Sequence, residues 1–315
     1  MTPRFTLAVG TVHETLTAQD GVISRRQLVA AGARHHDLER LLRRRELRRI
    51  HRGVFADHTG PLTQRQREWV AVLAAWPAAL AGESALPSPA PGRVHIAIER
   101  GRRVRVPEWV DVSCRSQLSE QVQWQRSPPR QRVEHAVLDV VASHCRGGDV
   151  AAAFAVLAQV IQSRHTTVER ILDALGKRQR MTGRRLIAAM LADVRDGVCS
   201  VLERGYRDLE RAHGLPRARR QHASEATGRR THQDVAYAEY GLVVELDGYV
   251  FHSSSVSRDH DAARDLAELA AAGTATARLT FGLVFRTPCR TATWVAEVLR
   301  RGGWKGSLRK CPHCR

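Results

Sequence analysis

The 315-residue chain predicts an α/β protein, α+β overall, divided into more than one domain. Three observations carry this. The length exceeds what one core of ordinary size holds. Segments of helical spacing alternate along it with short β-patterned runs. Apolar residues make up 43% and charged residues 26%, the usual mixture of a folded globular chain. No apolar run is long enough to span a bilayer, and the N-terminus lacks the basic-then-apolar pattern of a signal peptide. A cytoplasmic location without membrane contact is expected.

Residues 1–57 come first. Gly21-Val-Ile-Ser24 precedes a helix over Arg25 to Ala31, with Ser24 as its N-cap and Gly32 ending it. Leu38, Leu41 and Leu42 at helical spacing predict a second helix from His35 to about Arg45. The run from Leu47 to Phe55 alternates apolar and polar residues, as a short strand or hairpin does. Two short helices, a tight turn and a basic hairpin predict a winged helix-turn-helix. Its second helix and wing carry Arg40, Arg43, Arg44, Arg45, Arg48, Arg49 and Arg52, positions suited to phosphate contact and major-groove entry. A solvated basic face, or a winged helix used for protein contacts, is the plainer alternative. The whole chain has a net charge of +18, with 50 Lys plus Arg against 32 Asp plus Glu. A field of that sign attracts polyanions, so DNA is the expected partner.

Residues 61–197 predict a mixed α/β module for spacing or interaction. A helix over Thr63 to Trp76 leads to strands at Val94–Ile98 and Val110–Ser113. Prolines at Pro87, Pro91, Pro128 and Pro129 mark loops. Helices follow over Arg132–Ser143, Val150–Gln162 and near Thr167–Leu175. No catalytic constellation is visible in this module.

Residues 198–303 carry the strongest chemical pattern. A helix runs from Ser200 to His213 and Gly214-Leu-Pro216 ends it. Two strands follow, Thr231–Tyr237 and Gly241–Tyr249, with Glu239-Tyr240 as the turn between them. A two-residue turn makes opposed residue numbers sum to 479, which sets Asp234 against Glu245. Directly opposed side chains have Cβ atoms about 5 Å apart, and the two-residue period puts Asp247 on the same face. Opposed carboxylates destabilise a sheet unless something compensates, and hard oxygen donors suit Mg²⁺ or Mn²⁺. His252 lies just past the strand end, either as a general acid or base or as an ordinary loop histidine. A further helix is expected from Ser257 to Ala272, where Arg258 and Arg264 either join salt bridges on a solvated face or bind backbone phosphate.

Asp234 together with Leu242-Val-Val-Glu-Leu-Asp-Gly-Tyr-Val-Phe-His252, Arg258-Asp-His-Asp-Ala-Ala-Arg-Asp265 and Ala277-Arg-Leu-Thr280 resembles the Vsr-like branch of the PD-(D/E)xK nucleases. That branch includes the very-short-patch mismatch-repair endonuclease and an actinobacterial family often fused behind an AbiEi-like winged helix. The resemblance implies a restriction-endonuclease-like mixed sheet flanked by helices, a bound Mg²⁺ or Mn²⁺ and DNA as substrate. It makes Asp234 the metal-binding Asp and Glu245 the acidic residue of the motif. Asp247 stands where the superfamily has Lys and the mismatch-repair enzyme has His. His252 matches a second histidine of that enzyme, and Glu203 an acidic residue near the metal. Ser200-x-x-Glu203 is also a capping box, which gives Glu203 a purely structural alternative.

Gly21 to Phe55, Gly82-Glu-Ser-Ala85 and Pro129 to Asp139 look like the winged helix of AbiEi-type antitoxins and the portion after it. Members of that family repress transcription. This resemblance implies a cognate toxin or second subunit as a partner, and it supports the competing reading of a non-enzymatic DNA-binding regulator whose nuclease fold is inactive.

The six cysteines do not pattern as a disulfide framework. In the tail, residues 304–315, Cys311-Pro-His-Cys314 is half of a zinc-binding pattern. Cys289, His313 or another chain would have to complete it, and a loose tail is the ordinary reading of such a fragment.

Overall fold

The computed structural model describes residues 9–87, 89, 91–178, 180–196, 200–224, 231–247, 266, 269–270, 273–312 and 314. The fold is of the α/β class. The chain forms two compact units, Met1–Val140 and Val141–Arg315.

The first unit opens with α1 (Val9–Ala18), β1 (Val22–Ser24), α2 (Arg25–Ala30), α3 (His35–Arg43), β2 (Arg48–His51) and β3 (Val54–Ala56). The strands form an antiparallel sheet in the order β1-β3-β2, with α2 and α3 between β1 and β2 in the chain. Ser24 starts α2 as anticipated: its hydroxyl accepts from Gln27 N, and the Gln27 side chain accepts from Ser24 N. Ile23, Leu28, Leu38, Leu47 and Phe55 form the core.

Next come α4 (Gln64–Ala74), β4 (Ala78–Leu80), β5 (Val94–Glu99), β6 (Val110–Arg115), α5 (Leu118–Gln121), β7 (Val122–Gln123) and β8 (Arg130–Gln131). Their strands order as β6-β5-β4-β8-β7. Thr63 caps α4 through Gln66. The helix is buried on two sides. Trp69, Val70 and Leu73 meet Val22 and Val54 of the first sheet, while Ala71 and Val72 pack with Leu80, Ile96 and Ile98 of the second. A helix that closes two cores leaves no independent seam, so residues 61–140 belong with the N-terminal helices and sheet. Residues 141–197 belong with the C-terminal sheet.

In the second unit, after α6 (Val133–Arg146) crosses the boundary, α7 (Val150–Gln162), α8 (Val168–Gly176) and α9 (Arg184–Asp196) precede α10 (Ser200–His213). Then follow β9 (Arg219–Ser224), β10 (Thr231–Tyr237), β11 (Leu242–Leu246), β12 (Ala275–Leu279) and α11 (Pro288–Arg301). The sheet order is β12-β11-β10-β9. β10 is antiparallel to both neighbours, and β11 runs parallel to β12. A 3-10 turn over Ala238–Tyr240 and Gly241 at φ +63 reverse the chain between β10 and β11, a left-handed conformation that glycine adopts without steric cost. Among the described residues, no helix is long and apolar enough to cross a membrane.

Candidate functional site

The β10–β11 register decides where the carboxylates sit. Val235 faces Val244, Ala236 faces Val243 and Tyr237 faces Leu242, so opposed numbers sum to 479 as expected, although Ala238 to Gly241 make the connection longer than the two-residue turn by one residue on each side. Continued by one residue, the ladder sets Asp234 against Glu245. In the parallel register Glu245 is level with Arg278 of β12. Alternation puts Asp234, Glu245, Asp247 and Arg278 on one face of the sheet. The row lies at the carboxyl ends of β11 and β12, where sheets with parallel strands bind ligands.

Asp234 also has a structural task. The Asp247 amide bonds Leu279 O across to β12 at 2.9 Å, so the preceding amide, Leu246 N, points toward β10. It donates to Asp234 Oδ2 at 2.9 Å. The side chain thus takes over where the regular backbone ladder stops. One such bond does not exhaust a carboxylate, which offers about four lone-pair sites.

Hard carboxylate oxygens on neighbouring strands fit Mg²⁺ or Mn²⁺, which take one or two carboxylates and complete the shell with water and substrate phosphate. The expected convergence of three is not met. Among the described residues, Asp234, Glu245 and Asp247 do not bring ligand atoms within 4.8 Å of one another as a group. Glu203 does not join them either. Tyr237 points from the opposite sheet face to Tyr206 of α10, so α10 and its Glu203 pack on the other side. At the start of α10 the Ser200 hydroxyl donates to Asp193 Oδ1 at 2.5 Å, and Val201 N donates to Asp193 Oδ2 at 2.8 Å. His252, Arg258 and Arg264 lie outside the described residues. Arg278 escaped sequence reasoning because its relation to Glu245 exists only through the parallel pairing.

Behind the sheet lies a buried polar chain. Tyr206 Oη is 3.0 Å from Tyr237 Oη. Tyr237 donates to Glu210, and Glu210 also accepts from Arg220. Burial pushes the Glu210 carboxyl above the usual carboxylate range, against the pull of Tyr237 and Arg220. Burial likewise keeps both phenols above their ordinary value.

The C-terminal tail forms a second cluster. Arg309 N donates to His213 O at 2.8 Å, which lays residues 304–312 beside the end of α10 where the half-pattern suggested a loose tail. His213 Nε2, Cys289 Sγ, Cys311 Sγ and Cys314 Sγ then come together, all within 4.8 Å of one another. Cys289 stands in the first turn of α11. Burial, then the Cys314 and Cys311 thiols, push the Cys289 thiol up to about 12. Sulfurs this close resist ionisation unless a cation shares their charge. Sequence reading named three of these four but not His213. His313 is outside the described residues.

In the first unit, a cleft of about 800 Å³ opens between α3 and the β2–β3 turn. Arg25, Arg49, Arg52, Arg103 and Arg105 line it against one acid, Glu39, so its field is positive. His51 Nε2 lies 3.0 Å from Arg105 O. The other predicted arginines are placed unequally. Arg43 is exposed. Arg40 is 3.6 Å from Asp37, and the exposed Arg44 is 3.8 Å from Glu46. Arg48 is held along the loop after β3, donating to Thr59 O and Gly60 O at 3.0 and 2.8 Å.

Fold and sites together define an α/β protein with a basic cleft beside its N-terminal three-stranded sheet and a mixed C-terminal sheet bearing a carboxylate row. No protein-family model matches the chain, and no curated protein matches it. A crystal structure of the Rv2827c protein from Mycobacterium tuberculosis is similar over 59% of this chain and 76% of its own, at 18% identity and a TM-score of 0.37. A likeness that low carries no functional argument.

Proposed function

We propose that this chain is a metal-dependent DNA endonuclease, in which the winged helix binds DNA and the C-terminal sheet hydrolyses a phosphodiester. The observation that carries the reading is the Asp234–Glu245–Arg278 row at the carboxyl end of the parallel pair. The order of elements around it, helix, three antiparallel strands, then a parallel strand and a helix, supports the Vsr-like resemblance.

Asp234 and Glu245 would hold the cation through hard oxygen donors. A bound Mg²⁺ or Mn²⁺ polarises the scissile phosphate and lowers the pKa of its water. Arg278, exposed and level with Glu245, brings the positive charge that Asp247 lacks at the usual Lys position, and a guanidinium fork pairs well with phosphate oxygens. Asp247, beside Glu245, is placed to accept a hydrogen bond from the attacking water. Arg49 and Arg52 at the cleft engage the backbone phosphates of the duplex.

Supercoiled plasmid incubated with Mg²⁺ or Mn²⁺ tests this. Nicked or linear product is expected with either metal, none with chelator, and a loss of at least about 100-fold in Asp234→Asn. No cleavage in any metal, or full cleavage by Asp234→Asn, would leave the competing reading, a DNA-binding regulator of antitoxin type. Its own support is the complete winged helix with its basic cleft and the acid at position 247. On that reading a mobility shift would persist in chelator while a cognate toxin or second subunit is the functional partner.

A further inference from the structure

We propose that His213, Cys289, Cys311 and Cys314 bind one Zn²⁺ in a closed tetrahedral site that ties residues 304–314 to α10 and α11. The spacing of the four atoms is the first argument. A tetrahedron with Zn–S of about 2.3 Å has S···S edges of about 3.8 Å, and Zn–N of about 2.0–2.1 Å gives S···N edges of about 3.6 Å. Cys289 Sγ is 3.5 Å from Cys311 Sγ, and Cys311 Sγ is 3.7 Å from Cys314 Sγ. Cys314 Sγ is 3.6 Å from His213 Nε2. A disulfide needs S–S of about 2.0 Å, well below either sulfur–sulfur separation.

The surroundings prepare each donor. His213 is buried, 1% exposed, and its Nδ1 lies 2.9 Å from Leu209 O. That contact holds the proton on Nδ1, so Nε2 presents its lone pair to the sulfurs. Cys311 N donates to Cys314 Sγ at 3.3 Å, and Cys314 N to Cys311 O at 3.0 Å. An amide directed at a sulfur stabilises the thiolate form that a metal requires. Three soft sulfurs and an imidazole select Zn²⁺ over Mg²⁺ or Mn²⁺.

Four protein ligands leave no open position, so the ion here is structural. The site is separate from the carboxylate row, and the proposal stands whether or not the chain cuts DNA.

The test uses the full chain, purified without a metal-affinity step and kept reduced. Elemental analysis should find about one zinc per chain. Co²⁺ in its place should give the thiolate charge-transfer and strong visible bands of a tetrahedral sulfur site. Stripping the metal should lower the melting temperature by about 10 °C, and one equivalent of Zn²⁺, but not Mg²⁺, should restore it. Cys311→Ser/Cys314→Ser should lose the zinc, whereas His213→Cys should keep it. A reduced chain that takes up no Zn²⁺ overturns the proposal, as does undiminished zinc in the double variant. Two oxidised thiols recovered only by reductant, with no zinc bound, overturn it as well. The metal content of the wild-type chain decides the matter even if a variant fails to fold.

Discussion

Asp234 serves strand geometry and, on the proposed reading, a cation. Two substitutions separate these tasks. Asp234→Ala removes the acceptor of Leu246 N. Leu246 is only 4% exposed, so water replaces the lost partner poorly, and an unsatisfied amide costs about 1–2 kcal/mol. For a unit of this size that lowers the melting temperature by about 2–8 °C. Asp234→Asn keeps a side-chain oxygen for the amide and loses the charge, at a cost of about 1 kcal/mol or less. Metal binding reverses the order of informativeness. Free Mg²⁺ tenfold above its Kd adds about 1.4 kcal/mol to the wild type and should add nothing to either variant. Thermal unfolding by circular dichroism, with and without Mg²⁺, reads all three terms. Equal melting losses in Asn and Ala variants would refute the strand-capping argument. A Mg²⁺ shift that survives in Asp234→Asn would refute the cation argument.

Other consequences can be measured on the same material. Gly205→Ala should gain about 1 kcal/mol in helix propensity, but its Cβ would fall 2.3 Å from the Phe285 ring. Overpacking of about 1–3 kcal/mol then makes the variant less stable by urea titration. Tyr237→Phe strips a partner from Glu210 and Tyr206 and should cost about 1–3 kcal/mol in the same titration. Asp149 caps α7 by accepting from Ala152 N, and that bond, then Arg286, holds its carboxyl below the ordinary 3.8. The folded value lies below the unfolded one, so its stabilisation is present above 3.8 and fades as pH falls through the folded value. The gap in urea midpoint between wild type and Asp149→Ala, about 1 kcal/mol at neutral pH, should close in acid. Arg49→Ala/Arg52→Ala should weaken duplex binding at every sequence and flatten the log-log salt dependence by about 2 in mobility-shift assays.

What could be read from sequence was what short range decides. The Ser24 cap depends on a residue three positions away, and α7 and α10 show their apolar faces within one segment. The 479 register was legible because it depends only on the centre of the turn, which lies between Glu239 and Tyr240 whether two residues or four make the connection. β4 was not, since Ala78-Ala79-Leu80 has no alternation to separate it from the helix before it. The thiol cluster was half visible: a CxxC announces itself, but His213 joins through a fold that brings together residues about a hundred apart. The expected boundary near residue 57 failed to appear as a seam because α4 is apolar on two sides, which a single amphipathic face would not reveal.

The distance along the chain between His213 and Cys314 also bears on assembly. A ribosome completes β9 to β12 and α11 before Cys311 and Cys314 exist. On the zinc proposal the cluster acts as a latch between the end of the chain and the end of α10, about a hundred residues earlier. A nascent chain released before Cys311 would carry all four strands yet lack the latch. It should melt at a lower temperature than the full chain, by about the margin lost when the metal is stripped.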